Sequence, residues 1–119
     1  MDRPKVLIVD DSKTSVQVLR VYLTGLDLQL RIAASAEEAV DTLRSWRADL
    51  VITDVNMPGR NGIALCADLK RTGATPVLVI TSKLNAQARR DAIAAGADGI
   101  LPKPIDSDRL VHLVRSLLE

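Results

Sequence analysis

Five short apolar runs set the terms for this chain. Lys5–Val9 (KVLIV), Leu50–Thr53 (LVIT) and Pro76–Ile80 (PVLVI) are apolar almost throughout and rich in Val, Ile and Leu. Continuous runs of this length are expected of strands covered on both faces, as in a parallel sheet. Leu28–Ala33 (LQLRIA) alternates and is read as a more exposed outer strand; Gly99–Leu101 (GIL) is the shortest. Amphipathic stretches separate the runs. Ala36, Ala39, Val40 and Leu43 follow the i, i+3, i+4, i+7 spacing of a helix face, as do Ile63, Cys66, Ala67 and Lys70. Ser35 with Glu38 predicts a capping box, and Asn85 caps an Ala-rich helix over residues 86–95 that stops at Gly96. The last helix places Leu110, Leu113, Val114 and Leu117 on its core stripe, with Asp106 or Ser107 as cap.

Strands that alternate with helices imply right-handed crossovers and a doubly wound α/β domain: one five-stranded parallel sheet with helices on both faces. The 119 residues suit one such domain over 1–119. With no Phe and 2% aromatics, the core must be built from Val, Ile, Leu and Ala. A net charge of +1, and Trp46 and Tyr22 as the only aromatics, give no footprint for nucleic acid or a membrane surface. Cys66 is the sole cysteine, so no internal disulfide is expected, which fits a reducing compartment. The first residues lack the apolar h-region of a signal peptide and no run reaches membrane-spanning length, so a cytoplasmic protein is expected.

In doubly wound sheets, ligands sit at the carboxyl ends of the strands. Here those ends carry Asp10 and Asp11, then Asp54, then Thr81 and Ser82, then Lys103 followed by Pro104. Three carboxylates and one ammonium in one pocket leave two uncompensated negative charges, which a divalent cation would balance. All-oxygen ligands suit Mg²⁺ rather than zinc. A hydroxyl and a lysine aimed at the same place are donors for an incoming phosphoryl group.

VLIVDDS, DLVITDVNMPGRNG, PVLVITS and AGADGILPKPI, in this order, resemble the response-regulator receiver family of two-component signalling over essentially the whole chain. The resemblance implies the flavodoxin-like, CheY-like (βα)5 fold. It implies that Asp54 is the phosphoacceptor and that Asp10, Asp11, Asp54 and the backbone carbonyl of Asn56 hold Mg²⁺. It also implies that Thr81 hydrogen-bonds the phosphoryl group, that Lys103 pairs with it, and that the Lys103–Pro104 peptide is cis. Pro58, Gly59 and Gly62 match the loop that leaves the third strand. Asn56 and Lys83 would flank the route of the attacking water. A module of this kind catalyses its own phosphorylation and dephosphorylation and is not a conventional enzyme. The donor would be a histidine kinase or histidine phosphotransfer protein, and the output an unknown partner or attached effector domain. A dimer through the helix 4, strand 5, helix 5 face is a further expectation.

Two positions depart from the family pattern, and the first is Ile100, which stands where an aromatic side chain is usual, three residues before the lysine. Ring rotation cannot report the switch here. Ser82 replaces the usual Ala or Gly and is still small. Two other classes of protein fit these residues less well. A Mg²⁺-dependent phosphatase with an aspartate nucleophile would need a second acid where Asn56 stands. A binding-only pseudo-receiver would not need Asp10, Asp11, Asp54, Thr81 and Lys103 all present. Other polar and aromatic residues take simpler readings: Cys66 as core filler, His112 as a surface histidine, Trp46 over the core edge, Met57 as loop packing, and Arg89 and Arg90 as a solvated helix face. The first helix can turn Val16, Leu19, Leu23 and Leu26 to the core while Val18, Val21 and Tyr22 point elsewhere, a patch suited to the donor. Val111 and Leu118 are a second candidate contact on the last helix. The sequence shows no effector domain and leaves open whether the chain stands alone or belongs to a longer protein.

Overall fold

A computed structural model of the chain describes residues 3–57 and 59–119; Pro58 lies outside the described residues. Five strands and five helices alternate: β1 (Lys5–Val9), α1 (Lys13–Leu23), β2 (Gln29–Ala33), α2 (Ala36–Ser45), β3 (Leu50–Asp54), α3 (Gly62–Thr72), β4 (Val77–Thr81), α4 (Ala86–Ala94), β5 (Gly99–Pro102) and α5 (Ser107–Leu117). All pairings are parallel, in the spatial order β2-β1-β3-β4-β5. The alternating strand β2 lies at the sheet edge, as its polar positions Gln29 and Arg31 require. The three apolar runs fill the centre.

Alternation along each central strand splits the core in two. Val6, Ile8, Leu50, Ile52, Leu78 and Ile80 face α1 and α5, where they meet Val16, Leu19, Leu23, Leu110 and Val114. Leu7, Val9, Val51, Val77 and Val79 face the other layer, where Ala36, Ala39, Leu65 and Cys66 pack. Ala95 and Ala97, which follow α4, pack against this second layer. Small residues on α2 let that helix approach the sheet closely, in keeping with a core that lacks Phe.

Four details differ from the sequence expectation. In α3 Leu65 and Cys66 are fully buried, while Ile63 and Lys70 are half-buried, so the core stripe is centred on Leu65 and Cys66. At α2, the Glu38 N–H donates to Ser35 Oγ at 3.1 Å as a capping box requires, but the return bond runs from the Ala34 N–H to Glu38 Oε2 at 3.3 Å, one residue before the cap. Leu118 is half-buried and packs partly against the α1 and α5 core. The strands run one residue further than their apolar runs, so Asp54 and Thr81 are the last residues of β3 and β4. The remaining helix starts are capped by Ser12, Asn61, Asn85 and Asp106, whose side-chain oxygens accept from backbone N–H groups of the first turn. Gly96 follows α4 with φ +88°, a left-handed conformation that glycine adopts without strain. Among the described residues no helix is long and apolar enough to cross a membrane.

Candidate functional site

The carboxyl edge of the sheet gathers the predicted residues. β1 ends at Val9, and the Asp10 N–H donates to the Ala33 carbonyl at 3.0 Å, which fixes the turn into α1. Asp10 is buried, Asp11 exposed and Asp54 buried, and one carboxylate oxygen from each lies within 4.8 Å of the others. Asp10 Oδ1 accepts the Ser12 N–H at 2.9 Å. Burial raises the Asp10 pKa above the ordinary carboxylate range; the Ser12 N–H opposes this, and the Asp54 charge adds to the rise.

Asp54 is held by two opposed arrangements. Lys103 Nζ stands 3.4 Å from Asp54 Oδ2. Asp54 Oδ1 is buried and has no hydrogen-bond partner. Buried carboxylate oxygens are rarely left so, because the desolvation cost goes uncompensated. Lys103 reaches the site from a cis Lys103–Pro104 peptide after β5, as expected, and its N–H donates to the Thr81 carbonyl at 2.8 Å. Thr81 is buried, and its Oγ1 accepts the Lys83 N–H at 3.1 Å. Asp10, Asp11, Asp54, Thr81 and Lys103 therefore all lie at one edge. Asn56, in the loop after β3, is exposed.

Other contacts were not legible in the sequence. Lys103 Nζ donates to Ser15 Oγ at 3.3 Å, one turn into α1. The Thr53 hydroxyl donates to the Asp54 backbone carbonyl at 3.1 Å. Gly62, the first residue of α3, sits so close to Asp54 that a Cβ there would lie 2.1 Å from the Asp54 carbonyl oxygen. The sequence marks Gly62 only as part of a loop motif; its close approach to β3 is a product of the fold. No sequence spacing links Ser15 to Lys103. His112, Arg89 and Arg90 are exposed, and Cys66 and Trp46 are buried, as expected. Met57 is also buried, against the α2–α3 core.

The family model for the response regulator receiver domain matches residues 6–115. The chain belongs to this family. It is 36% identical to the response regulator MprA of Mycolicibacterium vanbaalenii over 96% of its own length and 50% of that protein's. It thus spans about half the length of the curated response regulators it matches. Among solved structures it is similar to the Vibrio cholerae chemotaxis protein CheY4, with a TM-score of 0.91 and 29% identity, covering 98% of this chain and 100% of that one. It is also similar to a response regulator from Chloroflexus aurantiacus, with a TM-score of 0.90 and 34% identity, covering 98% of each chain. The (βα)5 fold and the receiver assignment expected from the sequence are thereby established: this is the receiver domain of a two-component response regulator.

Proposed function

We propose that Asp54 accepts a phosphoryl group from a phosphohistidine donor and that residues 1–119 act as one Mg²⁺-dependent cytoplasmic switch domain. The observation that carries this reading is the unpartnered, buried Asp54 Oδ1, beside a carboxylate cluster and opposite a lysine on Oδ2. An orphaned oxygen among oxygen-only donors fits a hard divalent cation. Asp10, Asp11, Asp54 and the Asn56 carbonyl would hold Mg²⁺, which when bound neutralises charge at phosphorus.

The chain's own residues divide the remaining work. Asp54 supplies the nucleophilic oxygen: the bond from phosphorus to that oxygen forms as the bond to the donor's imidazole nitrogen breaks, and the nitrogen keeps the electron pair. Lys103 holds Asp54 in place before transfer and pairs with the new dianion afterwards. Thr81, whose hydroxyl already accepts from Lys83, has its own proton free to donate to a phosphoryl oxygen. The contacts of Thr81 and Lys103 with the phosphoryl group itself exist only in the phosphorylated protein, so they bias a two-state equilibrium. Hydrolysis at Asp54 resets it.

The donor meets a groove beside the site. Thr14, Ser15, Val18 and Tyr22 of α1 face Lys103, Pro104 and Ile105 across it. Val21 is 68% exposed on the same helix. The output side is the α4–β5–α5 face, where Ile93 is 68% exposed and Ile100 is half-buried. With Ile100 in the aromatic position, the signal there passes through backbone and helix shifts to an effector or a second copy. Incubation with a small phosphodonor, followed by intact mass, tests the central claim. One Mg²⁺-dependent phosphoryl adduct is expected, absent from Asp54→Ala; an adduct that survives this substitution, or none at all, would overturn the acceptor assignment.

A further inference from the structure

A lysine ammonium rides on a flexible four-carbon stem, and one contact at a solvent-reached edge does little to fix it. The Lys103 side chain is 27% exposed. Its Nζ has two partners among the described residues, Asp54 Oδ2 at 3.4 Å and Ser15 Oγ at 3.3 Å. The second partner comes from a rigid element. Ser15 lies in the first turn of α1, where its N–H donates to Ser12 Oγ at 3.2 Å. The Ser12 N–H in turn donates to Asp10 Oδ1 at 2.9 Å. One turn of helix thus ties a carboxylate of the acidic cluster to the lysine that follows β5. The bonds run from Asp10 through Ser12, Ser15 and Lys103 to Asp54, which lies beside Asp10 and closes the circuit.

Hydroxyls at the start of a helix usually serve as caps. Ser12 already fills that place, so the start of α1 does not require a hydroxyl at Ser15. Ser15 is half-buried, shares the wall of the donor groove with Val18 and Tyr22, and accepts from Lys103. We infer that Ser15 is a positioning residue for phosphoryl transfer: its hydroxyl holds the Lys103 ammonium against Asp54 Oδ2, so that the unpartnered Oδ1 stays open to phosphorus. The inference rests on the acceptor role of Asp54. It gives α1 a part in the chemistry besides the carboxylates that precede it. Without the hydroxyl the ammonium samples a larger volume and is aligned with Oδ2 for less of the time, which slows a step that depends on placement.

The test uses acetyl phosphate, a donor too small to need the groove, so that placement of Lys103 is read apart from docking. In this reaction the bond from phosphorus to the Asp54 oxygen forms as the bond from phosphorus to the acetate oxygen breaks, and acetate keeps the electron pair. Wild type, Ser15→Ala, Ser15→Thr, Lys103→Ala and the Ser15→Ala/Lys103→Ala double variant are phosphorylated with Mg²⁺ and followed by intact mass. Alanine suits a helix, so the fold is expected to survive at Ser15. A hydrogen bond to a partly solvated charge is worth roughly three- to tenfold in a rate. Ser15→Ala is expected to slow phosphorylation by about that factor, and Ser15→Thr, which keeps the hydroxyl, to stay within about twofold of wild type. In the Lys103→Ala background, Ser15→Ala is expected to add nothing. The same coupling is read without any transfer by urea unfolding: the midpoint shift of the double variant should fall short of the sum of the single shifts. A wild-type rate in Ser15→Ala, a rate in Ser15→Thr as slow as in Ser15→Ala, or independent effects of the two alanine substitutions in either measurement would overturn the inference. Mg²⁺ affinity by calorimetry is expected to be unchanged in Ser15→Ala, because Asp10 is held through backbone N–H groups; a slower rate that follows a loss of Mg²⁺ affinity would also overturn it. If wild type takes up no phosphoryl group, the acceptor assignment fails first and takes this inference with it.

Discussion

Ile52 and Asp54 lie two residues apart on β3 and point to the same side of the strand, yet they obey opposite rules. Ile52 is 1% exposed and packed on all sides in the α1–α5 core. Asp54 is 6% exposed and keeps one oxygen with no partner. The middle of the sheet is optimised for burial, and its carboxyl edge is held in an arrangement that burial alone disfavours. Val51, Leu78 and Val79 repeat the first pattern, and Asp10 repeats the second. The edge tolerates its cost because the layers beneath it are saturated with apolar contact, and stability at one end of a strand supports poised charge at the other.

Substitutions at the two levels should therefore move stability in opposite directions. The largest effect is expected from Ile52→Ala, which leaves a cavity in a fully packed layer and should cost about 2–5 kcal/mol in denaturant unfolding, with or without Mg²⁺. Asp10→Asn should instead stabilise the metal-free protein modestly, because it removes a charge that is disfavoured by burial and by the nearby Asp54, while weakening Mg²⁺ binding. Its advantage carries a pH signature. A folded-state pKa raised above the unfolded value gives a contribution fully present below the ordinary carboxylate range and lost as pH rises through the raised value. The gain from Asp10→Asn should accordingly be largest at neutral pH and shrink in acid. Equal destabilisation by the two substitutions would break the comparison.

The smallest effect lies in the other core layer. Burial pushes the Cys66 thiol up from its ordinary range, with Lys70 partly opposing and Asp98 adding to the rise. Its contribution to stability is fully present below the ordinary thiol range and is lost as pH rises through the raised value. Alkylation of the folded protein at mildly alkaline pH should be much slower than that of a free thiol, and should accelerate on unfolding. Rapid labelling of the native state would show that this layer is looser than the one beneath Asp54.

The fold was legible because each central strand is a continuous apolar run and each helix begins at a residue that caps it. Site membership was legible for the same reason: Asp10, Asp54, Thr81 and Lys103 stand where apolar runs end, and a parallel sheet brings such ends together. What stayed hidden depends on orientation about an axis or on contacts between distant segments. Leu65 is buried more deeply than Ile63 through a rotation of α3 that the spacing of Ile63 and Cys66 did not specify. The Ser15–Lys103 bond joins residues 88 positions apart, and the Asn56–Ser82 bond residues 26 apart. Neither follows from periodicity, which describes one element at a time.

The scarcity of aromatic rings has a consequence for spectroscopy. Trp46, the only tryptophan, is buried in the α2–α3 layer with the Arg31 guanidinium 4.9 Å from its ring centroid. Tyr22, the only tyrosine, borders the groove beside Lys103 on the opposite side of the sheet. The chain thus carries two intrinsic chromophores, one for each face and neither duplicated. Tryptophan-selective excitation reads the layer behind the site, tyrosine absorbance reads the surface a donor would approach, and the two can be followed in one sample without any label.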